Sequence, residues 1–305
     1  IKIWDLGTGT EKFTLKGHSN SVNAIALTPD GKTLISGSAD STIKIWDLVT
    51  GTEKFTFKGH RYSVGAIALT PDGKTLISGS DDKTIKIWDL VKGTEKFTLS
   101  GHGDLVGAIA VTPNGKTVIS GSWDKTIKIW DLETGKEKFI LKGHSSVIAI
   151  ALTPDGKTMI SGSRDDTIKI WDLVKGTEKF TLQGHGELVR VIAVTLDGKT
   201  VISGVIDSTI IIRDLVTRTE KFTLEGHSDL VKAIALTPDG KTVISGSRDD
   251  TIKIWDLVTG EEIATFTGES PIKCCAVAPD GVTIVAVEQS GKLHFLRLQG
   301  KVTDE

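Results

Sequence analysis

The chain has 305 residues, with 37 lysines and arginines against 39 aspartates and glutamates and a formal net charge of −2. That balance argues against a bulk nucleic-acid or polyanion binder. Hydrophobic residues come in short alternating runs, none long enough to span a bilayer. The two cysteines, Cys274 and Cys275, are adjacent in one predicted strand. Their side chains point to opposite faces, so they are read as reduced thiols in a cytoplasmic protein, and no cysteine or histidine stands at zinc spacing.

The first predicted element, residues 1–6, has the form of a strand ending in Trp4-Asp5. It opens inside a repeat and not at a methionine, which points to a fragment of a longer protein. Residues 18–57 hold one complete unit. Residues 21–27 (SVNAIAL) alternate, with Val22, Ala24 and Ala26 on one face and Ile25 and Leu27 on the other. Thr28-Pro29-Asp30-Gly31 is a turn, with proline and glycine at the positions that need them. Residues 33–38 (TLISGS) form a second strand and Ala39-Asp40-Ser41 a tight turn. Residues 42–48 (TIKIWDL), rich in β-branched side chains, form a third strand, and residues 53–57 (EKFTF) a fourth. The unit is a four-stranded antiparallel meander.

The unit then recurs. Trp-Asp stands at Trp46, Trp88, Trp130, Trp171 and Trp255, with Arg213-Asp214 filling the gap, at steps of 42, 42, 42, 41, 42 and 42 residues from Trp4. A fixed period of this length marks a repeat architecture. A sheet with apolar content on both faces cannot bury both alone, and radial stacking of such sheets solves this. The expected fold is all-β: a seven-bladed β-propeller of four-stranded antiparallel blades, one domain over residues 1–305. Six blades are complete. The last has three strands, residues 272–277, 282–287 and 292–298, and is expected to be closed by the N-terminal strand at residues 11–15. Residues 1–6 are then redundant or displaced.

Gly-His near the start of a unit, at His18, His60, His102, His144, His185 and His227, and Trp-Asp near its end resemble the WD-repeat propeller family over essentially the whole chain. The near-identity of the copies resembles bacterial WD-repeat proteins. The closing HFLRL, residues 294–298, is similar to the end of propellers attached to nucleotide-binding signalling ATPases, where the propeller is the sensor.

The resemblance implies a structural role for a recurrent polar set. In blade one it is His18, Asp40, Trp46 and Ser36 or Ser38; in later blades it includes His60, Asp82 and Trp88; His102, Asp124 and Trp130; His144, Asp165 and Trp171; and His227, Asp249 and Trp255. Serine, histidine and aspartate could suggest a hydrolase triad, but six near-copies of one catalytic site make no chemical sense, and a buried hydrogen-bond network is the reading adopted. The recurrent Gly-Lys-Thr joins strand to strand and lacks the earlier glycine of a phosphate loop. No catalytic, metal or cofactor motif is assigned. Blade five (Arg213, Val205) and the last blade (Glu269, Ser290, Leu296) are read as having lost the network and as held more weakly.

The copies disagree mainly at one end. Before the turn aspartate stand Ala39, Asp81, Trp123, Arg164, Ile206, Arg248 and Gln289; near the start of the first strand stand Asn23, Gly65, Gly107, Ile148, Arg190, Lys232 and Lys273. Arg61 and the chain's single tyrosine, Tyr62, follow the blade-two histidine, and Trp123 is the one tryptophan outside the periodic series. Tryptophan, tyrosine and arginine dominate interface hot spots. The expected partner-binding face is therefore Arg61, Tyr62, Trp123, Arg164, Arg190, Lys232, Arg248 and Lys273, aromatic on one side and cationic on the other. Its expected partner is a protein or acidic peptide, with neither membrane nor nucleic acid involved, and the protein is expected to be a monomer. The alternatives are a small-molecule or glycan-binding propeller, for which Asp81, Asp104, Glu187 and Asp229 are scattered on different blades, and a strand-exchanging assembly scaffold.

Overall fold

The computed structural model describes residues 1–5, 10–183, 188–278, 280–290 and 293–298; His185, Glu187, Leu6 and Lys292 lie outside them. The described residues are all-β, without a helix, and form the blades of a seven-bladed β-propeller. Six blades are four-stranded antiparallel sheets in chain order, and Ile272–Val277, Thr283–Glu288 and Leu293–Arg297 make a three-stranded sheet in the seventh. The chain divides into two compact units. One holds residues 1–165 and 169–181, the other residues 166–168 and 182–305.

Blade one shows how closely the pattern maps onto strands: Val22–Leu27, Thr33–Ser38, Thr42–Asp47 and Thr52–Lys58. The turn before the second strand closes where Gly31, at φ 66°, donates its N–H to Thr28 O at 2.8 Å. One feature departs from simple alternation. Val22 pairs with Ser38 but Ala24 pairs with Gly37, so Asn23 is a β-bulge. The bulge turns Val22 onto the face of Ile25 and Leu27. Grouping it with Ala24 and Ala26 was wrong, because a period of two does not survive an inserted residue.

Within the first unit three core clusters each straddle two consecutive blades. Ile35, Ile43, Ile45 and Phe57 of blade one enclose Val64, Leu76 and Trp88 of blade two, with the Phe57 and Trp88 rings stacked at 4.6 Å. The same set recurs between blades two and three and between three and four. In the second unit it recurs between blades five and six, and in altered form between six and seven. Each such fully buried side chain contributes about 2 kcal/mol. The strand glycine of the Ser-Gly-Ser run makes this contact possible. A Cβ on Gly79 would stand 2.8 Å from Val106 Cγ1, and one on Gly121 2.6 Å from Val147 Cγ1. A glycine inside a strand is costly unless another group needs its space, and here the next blade does.

Of the N-terminal segment, residues 1–5 are described, and they take part in a two-stranded sheet. Lys2–Trp4 pairs antiparallel with Glu11–Thr14, and Ile1, Ile3 and Phe13 pack on Leu15, Leu34 and Trp46. The strand expected to close the last blade thus has a hydrogen-bonded neighbour of its own. Cys274 and Cys275 pair with consecutive residues, Val287 and Ala286, so they occupy opposite faces and are free thiols. Burial pushes the Cys275 thiol up to about 12.

Candidate functional site

The recurrent polar residues come together in the same way in blades one, two, three, four and six. In blade two, Trp88 Nε1 donates to Ser78 Oγ at 2.8 Å, Ser78 Oγ stands 2.7 Å from His60 Nε2, and His60 Nδ1 stands 2.8 Å from Asp82. Neutral imidazole with its proton on Nδ1 satisfies every contact: the serine hydroxyl donates to Nε2 and Nδ1–H donates to the carboxylate. Asp82 also accepts the N–H groups of Arg61 and Thr84 and the Thr84 hydroxyl. His18–Asp40, His102–Asp124, His144–Asp165 and His227–Asp249 repeat the pair. Trp46, Trp130, Trp171 and Trp255 repeat the indole bond.

A threonine belongs to this network and is absent from the sequence reading. Thr42, Thr84, Thr126 and Thr251 each donate a hydroxyl to the turn aspartate at 2.6 Å. Its signal was present, as a threonine two residues after each turn aspartate. The serine–histidine–aspartate distances match those of a hydrolytic triad. Yet Ser36, Ser78, Ser120, Ser161 and Ser245 have no solvent exposure, and each hydroxyl already accepts a tryptophan N–H. As arranged, the set can hold a turn against three strands and presents no reachable nucleophile.

The electrostatics agree with neutral histidines. Burial lowers the pKa of His60, His102, His144 and His227, and outweighs the opposing pull of the partner aspartates. Burial would raise the Asp82 and Asp124 carboxyls. Hydrogen bonds from the threonine, a backbone N–H and the histidine overcome it and hold both at about 2.

Blades five and seven differ from each other as well as from the rest. In blade five Arg213 fills the tryptophan place at 5% exposure, donates Nη2–H to Gln183 O at 3.2 Å and stands 3.8 Å from Glu220. Ile211 replaces the lysine that elsewhere pairs with this glutamate, as Lys44 does with Glu53 at 2.8 Å, so one arginine covers both positions. The last blade lacks the recurrent set, as its sequence indicates, but has another in its stead. Glu288, buried on the second strand, accepts the Glu269 N–H at 2.8 Å, the Ser290 hydroxyl at 2.8 Å and the Ser270 hydroxyl at 3.2 Å, with His294 Nε2 at 2.6 Å. The carboxylate comes from the strand and the histidine from the next strand. No residue type stands where the repeat would place it, so alignment to the other copies hides the set.

At the divergent end, the variable residue of each first strand is the bulge residue in all seven blades. Asn23, Gly65, Gly107, Ile148, Arg190, Lys232 and Lys273 are each skipped by the pairing register. The variable hairpin residue is fixed just as regularly. The N–H groups of Ala39, Asp81, Trp123, Arg164, Ile206, Arg248 and Gln289 donate to the carbonyl just before the first strand, at 2.7–3.3 Å. One backbone frame therefore presents two free side-chain choices per blade. A bulge re-aims a side chain away from the ladder, which is why it is frequent at functional edges.

In the first unit the hairpin position carries Trp123 and Arg164, while Arg61 and Tyr62 stand in the loop that precedes the strand Val64–Leu69. Tyr62 is 64% and Trp123 40% exposed, and the Arg164 guanidinium lies 5.3 Å over the Trp123 ring. Bulges at Gly65 and Gly107 leave bare backbone beside them; a Cβ on Gly107 would stand 3.8 Å from Trp123 Nε1. In the second unit the bulge and hairpin positions carry Arg190, Lys232, Arg248 and Lys273, all exposed except half-buried Lys232. Burial lowers the Lys232 pKa, and Arg190, Arg248 and Lys273 lower it further.

The scattered carboxylates do not converge among the described residues. Asp104 and Asp229 accept the N–H of the following residue, and Asp81 is raised by burial and by neighbouring Asp82. No group of three or more metal-ligating side chains is found among the described residues. A cleft of about 340 Å³ opens at the opposite end of blades one and two, lined by Pro29, Lys54, Phe55 and Val91.

Comparison with known proteins adds to this geometry. Residues 1–173 match the model of the WDR3 first beta-propeller domain. Residues 176–214 and 218–256 match the WD domain, G-beta repeat. Lissencephaly-1 homolog 1 of Paramecium tetraurelia is 51% identical over 43 residues, 14% of this chain and 11% of that protein.

Proposed function

Since the chain belongs to the WD-repeat β-propeller family, whose members are generally protein-interaction scaffolds, we propose that it is a non-catalytic scaffold or sensor module that binds a protein or acidic peptide through the bulge-and-hairpin end of its blades. One observation carries this reading. All seven blades keep the same bulge while its side chain runs through asparagine, glycine, isoleucine, arginine and lysine. Drift alone would vary this end of the blades without gathering there Trp123, the chain's single tyrosine, and Arg61, Arg164, Arg190 and Arg248. The first unit offers aromatic anchors and the second a cationic cluster, and rigid scaffolds commonly carry function on such loops.

The test compares what the purified chain captures quantitatively from a native lysate in three forms. These are the wild type, a variant with Trp123→Ala, Arg190→Glu, Lys232→Glu and Arg248→Glu, and a control with Lys74→Glu and Lys116→Glu at the opposite end. Proteins retained by the control and lost by the face variant support the reading. An unchanged set in a folded face variant contradicts it.

A further inference from the structure

Blades five, six and seven place a cation at the same backbone position three times running. Arg190, Lys232 and Lys273 are each the second residue of a first strand, Val189–Val194, Val231–Leu236 and Ile272–Val277, and each is the bulge residue of that strand. These strands are neighbours, the fifth beside the sixth and the sixth beside the seventh. Arg248 adds a fourth cation from the blade-six hairpin, fixed by its N–H donated to Leu230 O at 2.9 Å.

The four differ from the other strand cations of this unit in having no counter-ion. Lys253 pairs with Glu262 at 2.8 Å and Lys221 with Asp214 at 3.1 Å. Among the described residues none of the four bulge and hairpin cations forms an ion pair. Asp229 attracts Lys232, but its carboxylate already accepts the Leu230 N–H at 2.6 Å. Like charges are thus gathered on a rigid frame, their repulsion relieved only in part by Asp229, an arrangement that a polyvalent anion stabilises.

We propose that Arg190, Lys232, Arg248 and Lys273 bind a phosphorylated segment of a partner protein, with the phosphoryl group seated among the three bulge cations. This rests on the reading of this end as a partner-binding face, and it narrows the ligand from an acidic peptide to a phosphorylated one. A single carboxylate neutralises one charge. A phosphomonoester carries close to two, with three acceptor oxygens, and so answers three donors arriving from three strands. Arginine adds a planar fork suited to two phosphate oxygens at once. Ile206, 40% exposed on the blade-five hairpin, offers an apolar contact at the same end of the blade.

The experiment titrates the full chain with a pool of phosphothreonine peptides, the same pool with glutamate in place of phosphothreonine, inorganic phosphate, and a single-stranded RNA oligonucleotide. The phosphothreonine pool is expected to bind at least tenfold more tightly than the glutamate pool and than inorganic phosphate. Arg190→Gln with Lys232→Gln is expected to weaken it at least tenfold without moving the thermal midpoint. Lys273→Gln alone, a change at an exposed side chain, weakens it severalfold and serves if the double variant fails to fold. Equal affinity for the two peptide pools, tighter binding of the RNA or of free phosphate, or phosphopeptide binding indifferent to these variants overturns the proposal. If partner capture still depends on the face residues in any of those cases, only the phosphate claim fails. If capture is also indifferent, the face reading fails with it.

Discussion

Most blades carry a second bulge, at the opposite end from the variable one, and the two have different fates. Between strands three and four the skipped residue is Lys54 in blade one, Lys96 in blade two, Lys138 in blade three and Lys221 in blade five. Each lysine reaches the aspartate of the repeat's Trp-Asp or Arg-Asp pair, at 3.2, 3.9, 2.8 and 3.1 Å respectively. At the other end the skipped residue changes from blade to blade, and where it is cationic it has no counter-ion among the described residues. A bulge alone therefore says nothing about function. What separates the two is closure: in these four blades the lysine bulge is occupied by an ion pair internal to its blade, although blade six has exposed Ile263 there, and the other bulge is left open to whatever approaches.

This contrast ranks perturbations, with changes to the closed frame costly and changes at the open bulge cheap. The largest effect is expected from Gly79→Ala. Its Cβ would stand 2.8 Å from Val106 Cγ1 and 3.1 Å from the Val106 carbonyl, in a contact with no free volume. A loss of about 3 kcal/mol is expected in urea denaturation. A loss below about 0.5 kcal/mol would mean that blade packing is looser than described. Ser78→Ala comes next, since it leaves the Trp88 N–H and His60 Nε2 buried and unpartnered. About 2 kcal/mol is expected on the same measurement.

Acid should act on the frame in two steps. Burial makes His60, His102, His144 and His227 bind a proton less readily folded than unfolded. Their contribution is fully present above the ordinary value of 6.5 and declines as pH falls below it. The carboxyls of Asp82, Asp124 and Glu288, held at about 2, contribute above their ordinary values and lose that contribution as pH falls toward 2. Denaturation midpoints should drop between pH 7.5 and 5.5 and again below pH 4; a flat profile down to pH 5.5 would show that the histidines are not buried neutral. The smallest effects compare the two bulges directly. Lys138→Ala removes an exposed ion pair and should cost about 0.5 kcal/mol or less. Gly65→Arg at the open bulge, where the nearest atom to an added Cβ is 3.9 Å away, should stay within about 0.5 kcal/mol of the wild type.

The sequence carried the architecture well because the period supplied an internal alignment and the turn residues punctuated it. Strand ends fell within a residue or two in blade one. The failures share a cause: each involved a residue whose role depends on a partner distant in the chain. Asn23 looked like one more alternating position until its pairing showed a bulge. Gly79 carries no signal of its own in the sequence, and its requirement comes from Val106 of the next blade, which fills the space a Cβ would take. Glu288 had no counterpart in any other copy, so comparing copies could only register what blade seven had lost. The variable face residues were legible as exceptions, but the placement of all except Arg61 and Tyr62 on bulges and locked hairpins was not.

The face assignment is tested most directly by where a bound partner touches the chain. A photo-crosslinking amino acid placed singly at Gly107 and Lys232, on the open bulges, and at Lys74 and Lys241, on the turns of the opposite end, samples both ends of the blades in both units. Crosslinks to captured partners from Gly107 or Lys232, with none from Lys74 or Lys241, are the expected result. Crosslinks confined to Lys74 and Lys241 would contradict the assignment and move the binding face to the end where the copies agree.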